Sequence, residues 1–176
     1  MNGNCHFVYA AGVTGMVALN ADKISVYLPN ITSDREMIAL LIMGGLIGGI
    51  FPDIDNPKSY FGQLSKPVST VIGKIGEGIG KTGSHHRGIF HDFSLYLAGL
   101  VLSYFYAPFL IGFFLGAVSH LFLDMFNPAG VPVLFGISKI HLGKIKADSK
   151  QAIGLTYLMI AFTILIGVWF KFSFKN

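Results

Sequence analysis

Five apolar runs, Phe7–Leu19, Met37–Phe51, Phe93–Ala107, Phe109–Phe126 and Ala152–Phe170, hold only two Asp, Glu, Lys, Arg or His residues between them, His120 and Asp124. Nearly all of the charge is confined to the connections. Apolar residues make up 52% of the 176-residue chain and charged residues only 12%, about half the share of a soluble domain. Sixteen Phe, seven Tyr and twenty-two Gly suit helices packed closely in lipid. The expected fold class is therefore all-α: an integral membrane bundle of four to five short hydrophobic helices, one domain over 1–176. Only the last two runs approach the roughly 20 residues of a spanning helix. The shorter three tilt, lie at the interface or pack inside the bundle, so whether the first one spans stays open.

Gly44, Gly45, Gly48 and Gly49 make two overlapping small-xxx-small pairs in the second run, a close-packing signature. Pro52 is expected to end that helix, Ala107-Pro108 to turn the chain, and Asn127-Pro128 to stop the fourth. Cys5 is the sole cysteine, which excludes an intrachain disulfide and a Cys-rich zinc ribbon; it reads as a small buried hydrophobe. Met1–Asn4 carries no basic residue, so no secretory signal is expected.

With five spans, the N-terminus and the connections 52–92 and 127–151 share one side. That side carries nine of the thirteen Lys and Arg residues; Lys23, Arg35, Lys171 and Lys175 lie opposite. The positive-inside rule then puts the first side in the cytoplasm of a multi-pass inner membrane protein.

Four short clusters gather the residues capable of chemistry: His6; Asp53 and Asp55 after Pro52; His85 to Asp92; and His120 with Asp124. All fall on that same face. His120 and Asp124 are four apart, which stacks them on one side of a helix, and ionisable groups at membrane depth are costly unless paired or metal-bound. A His–Asp hydrogen bond closing the helix end would satisfy them equally. Asp53 and Asp55 oppose the dipole of the preceding helix, a cost that a bound cation offsets, although turn chemistry also favours Asp there. His86 and His91 flank Arg87-Gly88, where imidazoles suit a zinc-like ion and a guanidinium suits a phosphate or carboxylate. A solvated loop with Asp92 capping the next helix is the bland alternative.

Two further patterns carry less. Gly76-Glu77-Gly78-Ile79-Gly80-Lys81-Thr82 has three residues, not four, between its first glycine and Gly-Lys-Thr, and no strand precedes it, so it is no phosphate-binding loop. The lysines of 139–150 are interleaved with apolar residues beside a run, which suits anionic lipid rather than nucleic acid.

At these clusters the sequence resembles the YdjM-type family of LexA-regulated, membrane-bound, metal-dependent hydrolases. The matching strings are Phe51-Pro52-Asp53-Ile54-Asp55-Asn56-Pro57-Lys58-Ser59, Ser65-Lys66-Pro67, His86-Arg87-Gly88 with His91, Ser119-His120 with Asp124, and Asn127 to Pro132. His6 adds the family's N-terminal histidine. Where the family usually has Thr-His-Ser this chain has Phe90-His91-Asp92. More distantly, the His-xxx-Asp helix is similar to that of zinc-dependent phospholipase C. These resemblances imply one to three divalent ions, zinc before manganese or magnesium. The implied ligands are Asp53, Asp55, His86, His91, His120 and Asp124, with His6 a candidate. A metal-activated water would attack, Arg87 would hold an anionic group, Asp55 or Asp92 would act as base, and the substrate would be a phosphoester, a membrane lipid or a small molecule. Two other classes use the same residues: a non-enzymatic metal-binding membrane protein, and a structural one in which His and Asp only cap helices. No nucleic-acid partner is expected, and the sequence carries no signal for an oligomer.

Overall fold

The computed structural model describes residues 3–56, 89–147 and 149–173, with scattered positions between 59 and 74. Helix α1 (Gly3–Leu19) is followed by a single turn, α2 (Ala21–Ile24), and by α3 (Arg35–Gly48). A 3-10 turn at Phe51–Asp55 closes this half. A second 3-10 turn, Ile89–His91, leads into α4 (Phe93–Ser103), α5 (Pro108–Asp124), a hairpin of β1 (Val131–Val133) and β2 (Ser138–Ile140), and α6 (Lys150–Ser173). The hairpin is antiparallel, with Val131 opposite Ile140 and Val133 opposite Ser138. It is an addition to the all-helical expectation.

Local sequence sets most boundaries. Pro108 opens α5 in the first turn, behind an extended Ala107, where a missing N–H costs nothing. Asp92 caps α4, its Oδ1 accepting from the Ser94 and Leu95 N–H groups at 3.0 and 3.3 Å. Helix α3 ends at Gly48 rather than running on to Phe51, and Pro52 sits in the first turn of the 3-10 segment that follows. That tighter turn, and not the proline alone, swings Asp53 and Asp55 off the helix axis.

Helix α3 packs against both α1 and α5, which also touch each other, and makes its most extensive contact with α5. The approach is backbone to backbone. A Cβ at Gly44 or Gly48 would overlap the Phe109 or Phe113 carbonyl, and one at Gly112 or Gly116 would overlap the Leu41 or Gly45 carbonyl. On the adjacent face of α3, Gly45 meets Thr14 and Gly49 meets Ala10 of α1. The expected small-residue packing thus serves two neighbours at once. Apolar clusters fill the two ends, Ala18, Ile31, Leu41 and Ile111 at one and Tyr96, Ala117, Leu121 and Met125 at the other.

Among the described residues, two helical stretches are long and apolar enough to cross a membrane, Arg35–Asp55 and Lys150–Ser173, while α4 and α5 are shorter. Helix α6 rests on α1 through Ala152, Thr156 and Gly167 and exposes Leu158, Phe162, Leu165 and Trp169 along its outer face.

Candidate metal centre

The N-terminal end of α1, the C-terminal ends of α3 and α5, and the start of α4 meet at one end of the bundle. Each brings a buried ionisable group. His6 comes from α1, Asp53 and Asp55 from the turn after α3, His91 from the turn before α4, and His120 and Asp124 from α5. His6, His91, His120 and Asp124 are all at most 3% exposed. Three buried imidazoles thus lie beside three carboxylates in an otherwise apolar chain, where ionisable groups are costly unless paired with one another or metal-bound.

His120 shows which atoms are available. Its Nδ1 lies 2.7 Å from the Gly49 carbonyl oxygen, which can only accept, so Nδ1 carries the proton and donates it. Nε2 is left with a lone pair, is buried, and has no hydrogen-bond partner among the described residues. It faces Asp53 Oδ1 at 3.9 Å and Asp124 Oδ2 at 4.0 Å. The His6 ring stacks on the His120 ring at 3.7 Å between centroids, and His6 Nε2 lies 3.4 Å from Asp124 Oδ1. His91 Nε2 lies 3.4 Å from Asp53 Oδ1.

These spacings are too long for good hydrogen bonds, which cluster near 2.7–3.2 Å. The two 3.4 Å pairs come near the separation of two ligands on one ion, while the pairs made by His120 Nε2, at 3.9 and 4.0 Å, are wider. Two ligand atoms each about 2.0–2.1 Å from one ion at a tetrahedral angle stand about 3.3 Å apart. Two groups, His6, His120 and Asp124 on one side and Asp53, His91 and His120 on the other, have ligand atoms all within 4.8 Å of one another. They share His120, whose one free lone pair serves a single ion. The donor set of imidazole nitrogens and carboxylate oxygens fits a zinc-like ion and carries no soft sulfur.

Asp55 joins neither group. It lies beyond His91, with Oδ1 3.9 Å from Nδ1, on the ring edge opposite Asp53. Asp53 is the most open member, its side chain 23% exposed against 4% for Asp55 and Asp124. Asp92, also buried, accepts at both oxygens: its Oδ2 takes the Gly136 N–H at 3.2 Å while Oδ1 caps α4. That occupancy gives Asp92 the part of a helix cap and a tether for Gly136. A serine there has one side-chain oxygen and could not cap the helix and hold Gly136 together, which gives the departure at this position a structural sense. His85, His86, Arg87 and the Gly76–Thr82 segment lie outside the described residues. Gly49, which the sequence marks only as a packing glycine, fixes the His120 tautomer through its carbonyl, and only the spatial approach of α3 to α5 reveals it.

The model of the YdjM inner membrane protein family matches residues 1–175. Among curated relatives, the inner membrane protein YdjM of Escherichia coli is 33% identical over 107 residues, 54% of this chain and 48% of that one. Its Shigella flexneri counterpart gives the same values. The Bacillus subtilis protein YvsG is 30% identical over 103 residues, 54% of this chain and 57% of that one. The chain thus spans about half the length of the curated relatives it matches. No solved structure matches it. The relatives' names and the apolar helices together support an inner membrane location. From the match along nearly its whole length, the chain belongs to the YdjM inner membrane protein family.

Proposed function

We propose that this protein is a multi-pass inner membrane metalloenzyme that hydrolyses a phosphoester, a membrane lipid or a small molecule, at a site facing the cytoplasm. The observation that carries the reading is the His120 tautomer, with Nδ1 spent on Gly49 and a buried Nε2, without a hydrogen-bond partner among the described residues, between two carboxylates. An orienting bond on one ring nitrogen with the other aimed at acidic ligands is the usual arrangement of a metal-binding histidine. His6, Asp53, His91, His120 and Asp124 would hold the ion or ions, zinc first by their chemistry, and His86 would join them by its place in the sequence. Such an ion would supply Lewis acidity and an activated water.

The remaining roles fall to other residues of the chain. Asp53, at the exposed edge, marks where substrate and water enter. Asp55, 3.9 Å from His91 Nδ1 and outside both ligand groups, would be the carboxylate left to hold a proton. Arg87, between two histidines in the sequence, would clamp the anionic group and stabilise charge that develops on it.

Metal analysis paired with a phosphoester screen on the detergent-purified protein tests this. Arg87→Ala should keep wild-type metal and lose most turnover, Arg87→Lys should rescue poorly, and His120→Ala should lose both. The depth of the centre favours one other reading, a non-enzymatic metal-binding protein. Wild-type metal content with no turnover, and unchanged phosphate-analogue binding in Arg87→Ala, would select it.

A further inference from the structure

The hairpin after α5 breaks two local rules at one place. Its turn runs through Leu134, Phe135, Gly136 and Ile137 and is closed by the Ile137 N–H donating to the Leu134 carbonyl at 3.2 Å. Leu134 (φ 52°) and Phe135 (φ 58°) are in the left-handed region, which side chains with a Cβ avoid and which hairpin turns usually give to Asn, Asp or Gly. Leu134, Phe135 and Ile137 are also 57%, 60% and 84% exposed. A strained turn that points three large apolar groups outward contributes little to the fold's own stability, and such conflicts gather at functional places.

The turn is nevertheless held firmly. The Leu134 N–H donates to Ser94 Oγ at 2.9 Å and the Gly136 N–H to Asp92 Oδ2 at 3.2 Å. Both anchors sit at the start of α4, next to His91. Behind the turn, the Leu142 and Ile145 N–H groups donate to the Met125 and Phe126 carbonyls at 2.7 and 2.8 Å, tying the segment to the end of α5. Exposed Lys139, Lys144, Lys146 and Lys150 follow, four lysines against one acid, Asp148, between 127 and 150.

We propose that this hairpin is an interfacial anchor: Leu134, Phe135 and Ile137 seat among acyl chains while Lys139, Lys144 and Lys146 hold anionic lipid headgroups beside the His91 side of the centre. An apolar tip with a cationic flank is the composition that binds the boundary between headgroups and acyl chains, and basic residues are drawn to anionic lipid. A protein partner could cover the apolar tip but would leave the lysines without an assigned counter-charge. The inference goes beyond hydrolysis and holds whether or not the centre is catalytic.

An environment-sensitive thiol label on Ile137→Cys, which lies outside the left-handed pair, tests it in the full chain. Wild type, with its buried Cys5, is the labelling blank, and Phe135→Cys is the second probe. On moving from detergent into phosphatidylcholine–phosphatidylglycerol vesicles, label emission should shift to the blue and be quenched by lipids brominated on the acyl chain. Combining Lys139→Ala, Lys144→Ala and Lys146→Ala should shift the phosphatidylglycerol content needed for insertion upward, each lysine counting for about fivefold in affinity. A label that iodide quenches equally in vesicles and in detergent would overturn the anchor. Protection in native membranes but not in vesicles would assign the tip to a protein partner instead. Insertion unaffected by the lysine changes would remove the headgroup contact.

Discussion

Replacing Gly48 with Ala should destabilise the protein, while the same change at Gly15 should do the reverse. A Cβ at Gly48 would overlap the Phe113 carbonyl of α5, which is backbone and cannot rotate away, whereas one at Gly15 of α1 meets nothing within 4 Å. Helices α3 and α5 must then separate, and overpacking of this kind costs about 1–3 kcal/mol. Gly15→Ala gains the helix propensity that glycine forfeits, roughly 0.5–1 kcal/mol. At about 2–4 °C per kcal/mol for a chain of this size, Gly48→Ala should melt roughly 2–12 °C below wild type and Gly15→Ala slightly above it. Thermal unfolding of the detergent-purified variants, followed by fluorescence and by loss of the monodisperse chromatographic peak, measures both. The change also reaches the centre, because Gly48 adjoins Gly49, whose carbonyl fixes His120. Metal content should therefore fall in Gly48→Ala and not in Gly15→Ala. Equal melting temperatures for the two variants would refute the backbone contact between α3 and α5.

Three other expectations can be checked on the same preparations. Asp92→Ala should cost about 0.5–2 kcal/mol through loss of the cap and leave metal content near wild type, with Asp92→Ser recovering the cap but not the Gly136 bond; thermal unfolding and metal analysis would show it. Lys171 donates to Asp22 Oδ1 at 2.7 Å, and this hydrogen bond holds the exposed Asp22 carboxyl below its ordinary range. A lowered carboxyl adds stability above the unfolded-state pKa and loses it as pH falls through the folded one, so Lys171→Met should flatten part of the acid-side decline in a pH series of melting temperatures. For orientation, a maleimide that cannot cross membranes should label Lys66→Cys only after cells are opened; labelling of intact cells would invert the topology.

Much of the bundle was readable because membrane helices announce themselves by what they exclude. The third, fourth and fifth apolar runs became α4, α5 and α6 with ends moved by a few residues. Pro108 marked the start of α5 because its ring is tolerated only in the first turn. The end of α3 differs from the expected one because Gly49, Ile50 and Phe51 continue the apolar run while the backbone departs from the α-helix at Ile50 (φ −116°). Hairpin strands of three residues, one containing Pro132, are too short for alternation to register. At the centre, the i,i+4 pair His120 and Asp124 was visible from helix geometry alone. His6 stands alone near the N-terminus in the sequence and is among the most buried residues in the structure, since a lone histidine gives no clue to which helix end it will meet. Asp55 and Asp53 look equivalent as Asp-Ile-Asp, and only the 3-10 turn sends them to opposite edges of His91.

If His120 Nε2 faces an ion, metal occupancy shows it most directly. Wild-type protein purified without chelator, dialysed and analysed by inductively coupled plasma mass spectrometry should retain about one divalent ion per chain or more, zinc foremost. Removing that ion with chelator should lower the melting temperature, since a ligand bound only by the folded state stabilises it, and adding zinc back should restore it. His120→Ala should retain far less and respond to neither treatment. Wild type that holds no more metal than His120→Ala after incubation with zinc, manganese and magnesium, and melts unchanged with chelator, would contradict the metal centre.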